Sequence, residues 1–132
     1  IVEAFSRLSH YVALSCTALE EKLNCIVAAL LNMLLVAPSL KNPYVMKLYD
    51  SLCRRLAEKT RIIFYGYTVK PVDCEGMVVF HPGYESEITR ILLGLLEPGN
   101  VFIDIGAHLG RYTLLAARRV GLKGLIVALE PM

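Results

Sequence analysis

No two of the four cysteines (Cys16, Cys25, Cys53 and Cys74) stand at C-x-x-C spacing, and none has a histidine at metal-ligand spacing. A structural zinc site needs paired thiolates or a thiolate–imidazole set, so no metal site is expected. The remaining reading is of buried thiols in a reducing compartment, and therefore a cytoplasmic location. The G-x-x-x-x-G-K-S/T run of a phosphate-binding loop is missing, and so is the three-glycine G-x-G-x-x-G fingerprint of dinucleotide sites. Basic residues form no stripe. Fourteen Lys/Arg stand against twelve Asp/Glu for a net charge of +2, and no nucleic-acid partner is expected. The longest apolar run, Ile26–Ala37, holds Asn32, meets Pro38, and falls short of the ~20 residues a membrane span requires. A buried helix, or one covering an apolar face, is the expected reading; membrane contact through residues 23–37 is the alternative. The same run lies far from the first residue and is followed by no small-residue cleavage pattern, so no secretory signal is indicated.

What is present is strongly apolar. The chain has 132 residues, 55% of them hydrophobic, and a mean hydropathy of +0.51. That is enough for one domain with a real core and argues against disorder. It is high for a small soluble protein, so part of the apolar surface is expected to face further chain, a partner or lipid. The chain starts at Ile1 and stops at Met132, where a second strand-and-helix unit would begin, as expected of a fragment of an open parallel sheet.

Periodicity predicts helix from residue 3 to about 36. Phe5, Leu8 and Val12 share one face, as do Leu19, Leu23, Ile26 and Leu30, with Glu20, Glu21 and Lys22 marking a wet side. Pro38 and Pro43 break the pattern, and a further helix is predicted from Tyr44 to about Lys59. Arg61–Thr68, rich in β-branched and aromatic residues, predicts a strand on which Tyr65 and Tyr67 share a face. Gly76 predicts a turn, and Met77–Phe80 a second strand of a small antiparallel layer. After the His81–Pro82–Gly83 loop, Ser86 is the expected cap of a helix that runs to about Leu96 and is stopped by Pro98 and Gly99.

The last third carries the chemistry. Val101–Ile105 is an almost continuous apolar strand, a pattern suited to a parallel strand covered on both faces, interrupted near its carboxyl end by Asp104. Gly106 permits a tight turn and close approach of a ligand, and Gly110 lets the next helix press against the strand. Leu109, Tyr112, Leu115, Ala116 and Val120 give that helix its apolar face, with Arg118 and Arg119 at its carboxyl end and Gly121 as its stop. Leu125–Leu129 predicts a second buried strand, and Glu130 follows it. A right-handed crossover would make the two strands parallel and set Glu130 beside the glycine turn, where a carboxylate can accept ribose hydroxyl hydrogens. An aspartate at a strand tip repels phosphate, so the spacing favours a ligand with an amine or ribose and no pyrophosphate. His108 lies on the turn, more naturally as a lining residue than as a catalytic base. Cys74, between Asp73 and Glu75, lacks an activating neighbour.

These motifs resemble the first two motifs of S-adenosylmethionine-dependent methyltransferases. More narrowly, Gly83–Pro131 is similar to the FkbM-type methyltransferase family. Tyr84–Glu85, Pro98–Gly99, Asp104–Gly110, Tyr112–Ala117 and Glu130–Pro131 match that family's features in order, with His108 where asparagine is usual and Leu129 where phenylalanine is common. The likeness covers roughly residues 80–132. It implies an α/β, Rossmann-like class I methyltransferase fold, truncated after the second core strand. In that reading residues 1–60 form a helical amino-terminal region, and residues 61–132, opening with the short β layer, are the first part of the catalytic domain. It implies S-adenosyl-L-methionine as cofactor and a small-molecule or sugar-like methyl acceptor. The implied cofactor contacts are Glu130 at the ribose, with Asp104, Gly106, Ala107, His108 and Gly110 around the loop and Tyr84 and Glu85 at its border. The catalytic residue stays unassigned, and the chain as it stands is expected not to transfer methyl groups. A nicotinamide oxidoreductase fragment and a noncatalytic interaction or membrane-associated module are the alternatives.

Overall fold

The computed structural model describes residues 18–34 and 42–131, and over these the protein is mixed α/β. In chain order the elements are α1 (Leu19–Leu34), α2 (Pro43–Glu58), β1 (Ile62–Phe64), β2 (Tyr67–Val69), α3 (Cys74–Val79), α4 (Ser86–Leu95), β3 (Val101–Ile105), α5 (Arg111–Val120), a 3-10 turn (Gly121–Lys123) and β4 (Leu125–Leu129). The helix expected over residues 3–17, including Phe5, Leu8 and Val12, and the break at Pro38 lie outside the described residues. The chain divides into two compact units between Tyr84 and Glu85, so the short β layer groups with the helices before it.

In the first unit α1 opens with half of a capping box: the Ala18 amide donates to Glu21 Oε2 at 3.0 Å. The other oxygen, Oε1, accepts the Arg61 amide hydrogen at 3.2 Å, forty residues away. Glu21 is only 9% exposed, so it does not belong to the expected wet side of the helix. Two backbone amides need that carboxylate, and they draw it inward. The face α1 buries carries Asn24, Cys25 and Ala28, whereas Leu19, Leu23 and Leu30 are exposed. Small side chains thus line the contact and large ones face out, the reverse of what periodicity alone predicts.

Helix α2 begins on Asn42, whose Oδ1 accepts the Tyr44 amide hydrogen at 2.9 Å. Pro43 follows in the first turn, where a missing N–H costs nothing. Beyond its end the Thr60 hydroxyl donates to the Leu56 carbonyl at 2.7 Å. Cys53 and Ala57 are its buried residues.

The strand expected over Arg61–Thr68 is a hairpin. β1 and β2 pair antiparallel, Ile62 with Val69 and Phe64 with Tyr67. Tyr65 and Gly66 between them both take positive φ (47° and 88°), the requirement of a two-residue type I′ turn. Tyr65 therefore sits in the turn and Tyr67 on the return strand, and the two do not share one strand face.

Met77–Phe80 is not a strand. Met77 and Val79 lie in α3, and Phe80 is its C-cap. Asp73 caps the helix by accepting the Gly76 amide hydrogen at 2.8 Å, which also removes the expected turn at Gly76. Cys53 and Cys74 form a disulfide that ties α2 to α3, in place of the expected free thiols; Cys25 is buried. Phe64 is fully buried and meets Phe80 edge to face, with ring centroids 5.4 Å apart.

The second unit is a strand–helix–strand crossover preceded by a helix. β3 and β4 are parallel, with Val101 opposite Leu125, Asp104 opposite Ala128 and Ile105 opposite Leu129. Ala116 and Val120 of α5 are buried with Leu96, and Leu92, Phe102 and Ile126 pack around them. The stop at Pro98–Gly99 is pinned twice: the Gly99 amide donates to the Val120 carbonyl at 2.8 Å, and Asn100 Oδ1 accepts the Glu97 amide hydrogen at 2.8 Å. Arg119 Nε donates to the Leu96 carbonyl at 2.8 Å and so closes the end of α4. The other face of the sheet (Val101, Ile103 and Ile105 with Leu125, Val127 and Leu129) is exposed, as are Ile88, Ile91 and Leu95 on α4. The expectation of cover on both faces is thus met on one face only. No described helix is long and apolar enough to cross a membrane.

Candidate functional site

The carboxyl ends of β3 and β4 and the turn into α5 bring most of the expected residues together. β3 delivers Asp104 one residue before its end, and the chain then turns sharply. Gly106 and Gly110 adopt φ of 78° and 81°, where a side chain is strained. A Cβ on Gly106 would meet open space, and one on Gly110 would make ordinary contact with Thr113 at 3.9 Å. Left-handed backbone, not the expected close packing of helix on strand, is therefore what requires glycine at 110.

The turn is bound to the tip of β4. The amides of Gly106 and Ala107 donate to the Leu129 carbonyl at 2.8 and 3.1 Å, and the Gly110 amide donates to the Ala107 carbonyl at 2.8 Å. Glu130 completes the attachment: its Oε2 accepts the His108 amide hydrogen at 2.6 Å. That bond uses one oxygen of an exposed carboxylate. His108 itself has φ of 50°, a left-handed conformation in which Asn, Asp and His are the side-chain-bearing residues most often found. The position occupied by histidine here thus accepts asparagine for a backbone reason.

The first turn of α5 secures the surroundings. Arg111, buried, donates from its guanidinium to the Thr89 hydroxyl of α4 at 3.1 Å. The Tyr112 hydroxyl donates to the Glu85 carboxylate. The Thr113 hydroxyl donates to Asp104 Oδ2 at 2.5 Å. Glu85, not Ser86, is the N-cap of α4; it takes φ of 44° and makes no side-chain cap. Ser86 is instead the first helical residue. The Glu85 side chain is directed to Tyr112, which accounts for the missing cap. Asp104, Gly106, Ala107, His108, Gly110 and Glu130 thus form one cradle at the strand ends, with Glu85 held on the adjoining helix. Sequence reasoning did not single out Thr113, Arg111 or Thr89; a threonine nine residues after a strand-tip aspartate was the one available signal.

Tyr84 belongs to the first unit, where it lines a cleft of about 490 Å³ together with Tyr49, Asp50, Arg54, Asp73 and Glu75 and the Cys53–Cys74 disulfide. The Tyr49 phenol is held above its usual pKa, first by burial and then by the negative charges of Asp50, Asp73 and Glu75. Among the described residues no group of His, Cys, Asp and Glu side chains is arranged to hold a metal ion.

The chain matches no protein-family model, no curated protein and no solved structure.

Proposed function

We propose that the cradle of the second unit binds S-adenosyl-L-methionine and that the chain is part of a methyltransferase of the FkbM type, with an O-methylated small molecule or sugar-like compound as product. The observation that supports this reading most directly is the bond from the His108 amide to the Glu130 carboxylate, which holds an acidic strand tip against a two-glycine turn. The donor set suits the ligand's chemistry. Glu130 is exposed at the mouth of the parallel pair and can accept ribose hydroxyl hydrogens. Asp104 supplies a second acceptor of the kind an amino group needs, and opposite it in the register stands the small Ala128. Two carboxylates at the mouth disfavour a pyrophosphate, which weighs against a nicotinamide dinucleotide.

When bound, the cofactor supplies an electrophilic methyl group on a sulfonium centre. The chain's residues bind and orient it: Glu130 and the loop amides set the position of the turn, and Asp104 and Gly106 border the ligand. Such a site accelerates transfer chiefly by alignment of the reactants. The cytoplasm is the location proposed with this reading. Equilibrium binding of the methyl donor and of NAD to the chain tests the proposal. Selective retention of S-adenosylmethionine is the expected result, and selective retention of NAD overturns it.

A further inference from the structure

We propose that Thr113 is a positioning residue that fixes the Asp104 carboxylate in the cradle. This rests on the reading of the cradle as a cofactor site, but its geometry stands apart from any ligand. Asp104 lies on β3 with the parity of Phe102, the residue that packs beneath α5, and opposite to that of the exposed Ile103 and Ile105. Its side chain is half-buried and accepts the Thr113 hydroxyl hydrogen through Oδ2 at 2.5 Å. A hydroxyl that donates to a carboxylate makes a charge-assisted bond, about twice as strong as a bond between neutral groups.

Thr113 is in the first turn of α5, three residues after the N-cap Gly110. A hydroxyl carries one hydrogen, and here it goes to Asp104. Asp104 is thereby fixed by one oxygen. Without that bond the half-buried carboxylate would turn toward water, and its remaining oxygen would lose its direction toward the ligand. The neighbouring residue acts in parallel, since Tyr112 donates to Glu85. Two successive hydroxyls on one helix turn thus hold two carboxylates from two other elements.

The test compares Thr113→Val, which keeps the shape and removes the donor, with Thr113→Ser, which keeps the donor. Thr113→Val is expected to weaken binding of S-adenosylmethionine about tenfold, as the loss of one charge-assisted bond implies, while Thr113→Ser stays near wild type. A second readout needs no cofactor: the carboxyl carbon resonance of Asp104, recorded by NMR on the full chain. It is expected to move in Thr113→Val and to stay in Thr113→Ser. If Asp104 is unmoved in both variants, the positioning role is overturned. If the resonance moves as expected but the wild-type chain binds no S-adenosylmethionine, the functional reading fails while the fixing of Asp104 by Thr113 stands.

Discussion

Glu130 and His108, twenty-two residues apart, meet through a hydrogen bond of 2.6 Å from a backbone amide to a carboxylate. The bond closes the glycine turn onto the end of β4 and holds the chain's last acidic side chain beside that turn. Its backbone half depends on a left-handed residue at 108.

That dependence predicts the order of substitutions at 108. His108→Asn keeps a residue suited to positive φ and is expected to leave stability unchanged within error. His108→Val puts a β-branched residue into left-handed backbone and is expected to destabilise the second unit by about 1–2 kcal/mol. Urea denaturation followed by amide signals of residues 101–129 distinguishes the two; equal stability of both variants would remove the backbone explanation.

The Cys53–Cys74 disulfide closes a loop with a sequence separation of 21 residues. Loop-closure entropy for that length gives it roughly 3 kcal/mol of stabilisation. Reductant is expected to lower the melting temperature of the wild-type chain and to leave the Cys53→Ser/Cys74→Ser double variant unaffected. Identical responses to reductant in the two proteins would show that the bridge does not hold α2 to α3. A disulfide that persists in the purified protein also bears on the cytoplasmic expectation, since such bridges are maintained mainly in oxidising compartments.

The first unit is expected to lose stability in strong base through Tyr49. Its phenol is raised above the ordinary value of 10.0 by burial and by Asp50, Asp73 and Glu75. The folded state therefore resists ionisation more than the unfolded state does. The resulting stability is fully present below the unfolded pKa and is lost as pH rises toward and through the folded one. Absorbance of the phenolate and melting curves between neutral pH and strong base should show the loss, and Tyr49→Phe should flatten it. A wild-type slope retained in Tyr49→Phe would assign the effect to another group.

The second unit was legible in the sequence because its signals are local. Val101–Ile105 and Leu125–Leu129 are continuous apolar runs, and Gly106, Gly110 and Gly121 mark the changes of direction between them. The positions of Asp104 and Glu130 then follow from the parallel crossover. The first unit was less legible because its determinants act at a distance. Met77–Phe80 has the composition of a strand, but an aspartate cap at Asp73 and a disulfide from Cys53 make Cys74–Val79 a helix. Glu21 reads as a surface charge until Arg61, forty residues on, presents its amide. Tyr65–Gly66 lacks the asparagine or aspartate that usually announces a type I′ turn, so one hairpin read as one strand. Thr113 was invisible for a similar reason, since its partner lies on another element.

The central claim is that the Asp104–Gly106–Gly110 turn and Glu130 form one binding site for S-adenosylmethionine. Calorimetric titration of the cofactor into the wild-type chain, Asp104→Ala and Glu130→Ala tests it most directly. The account predicts binding by the wild type and a loss of about tenfold or more in each variant, with the folded spectrum retained. Binding that is indifferent to both substitutions, or no binding by a folded wild-type chain, would contradict it.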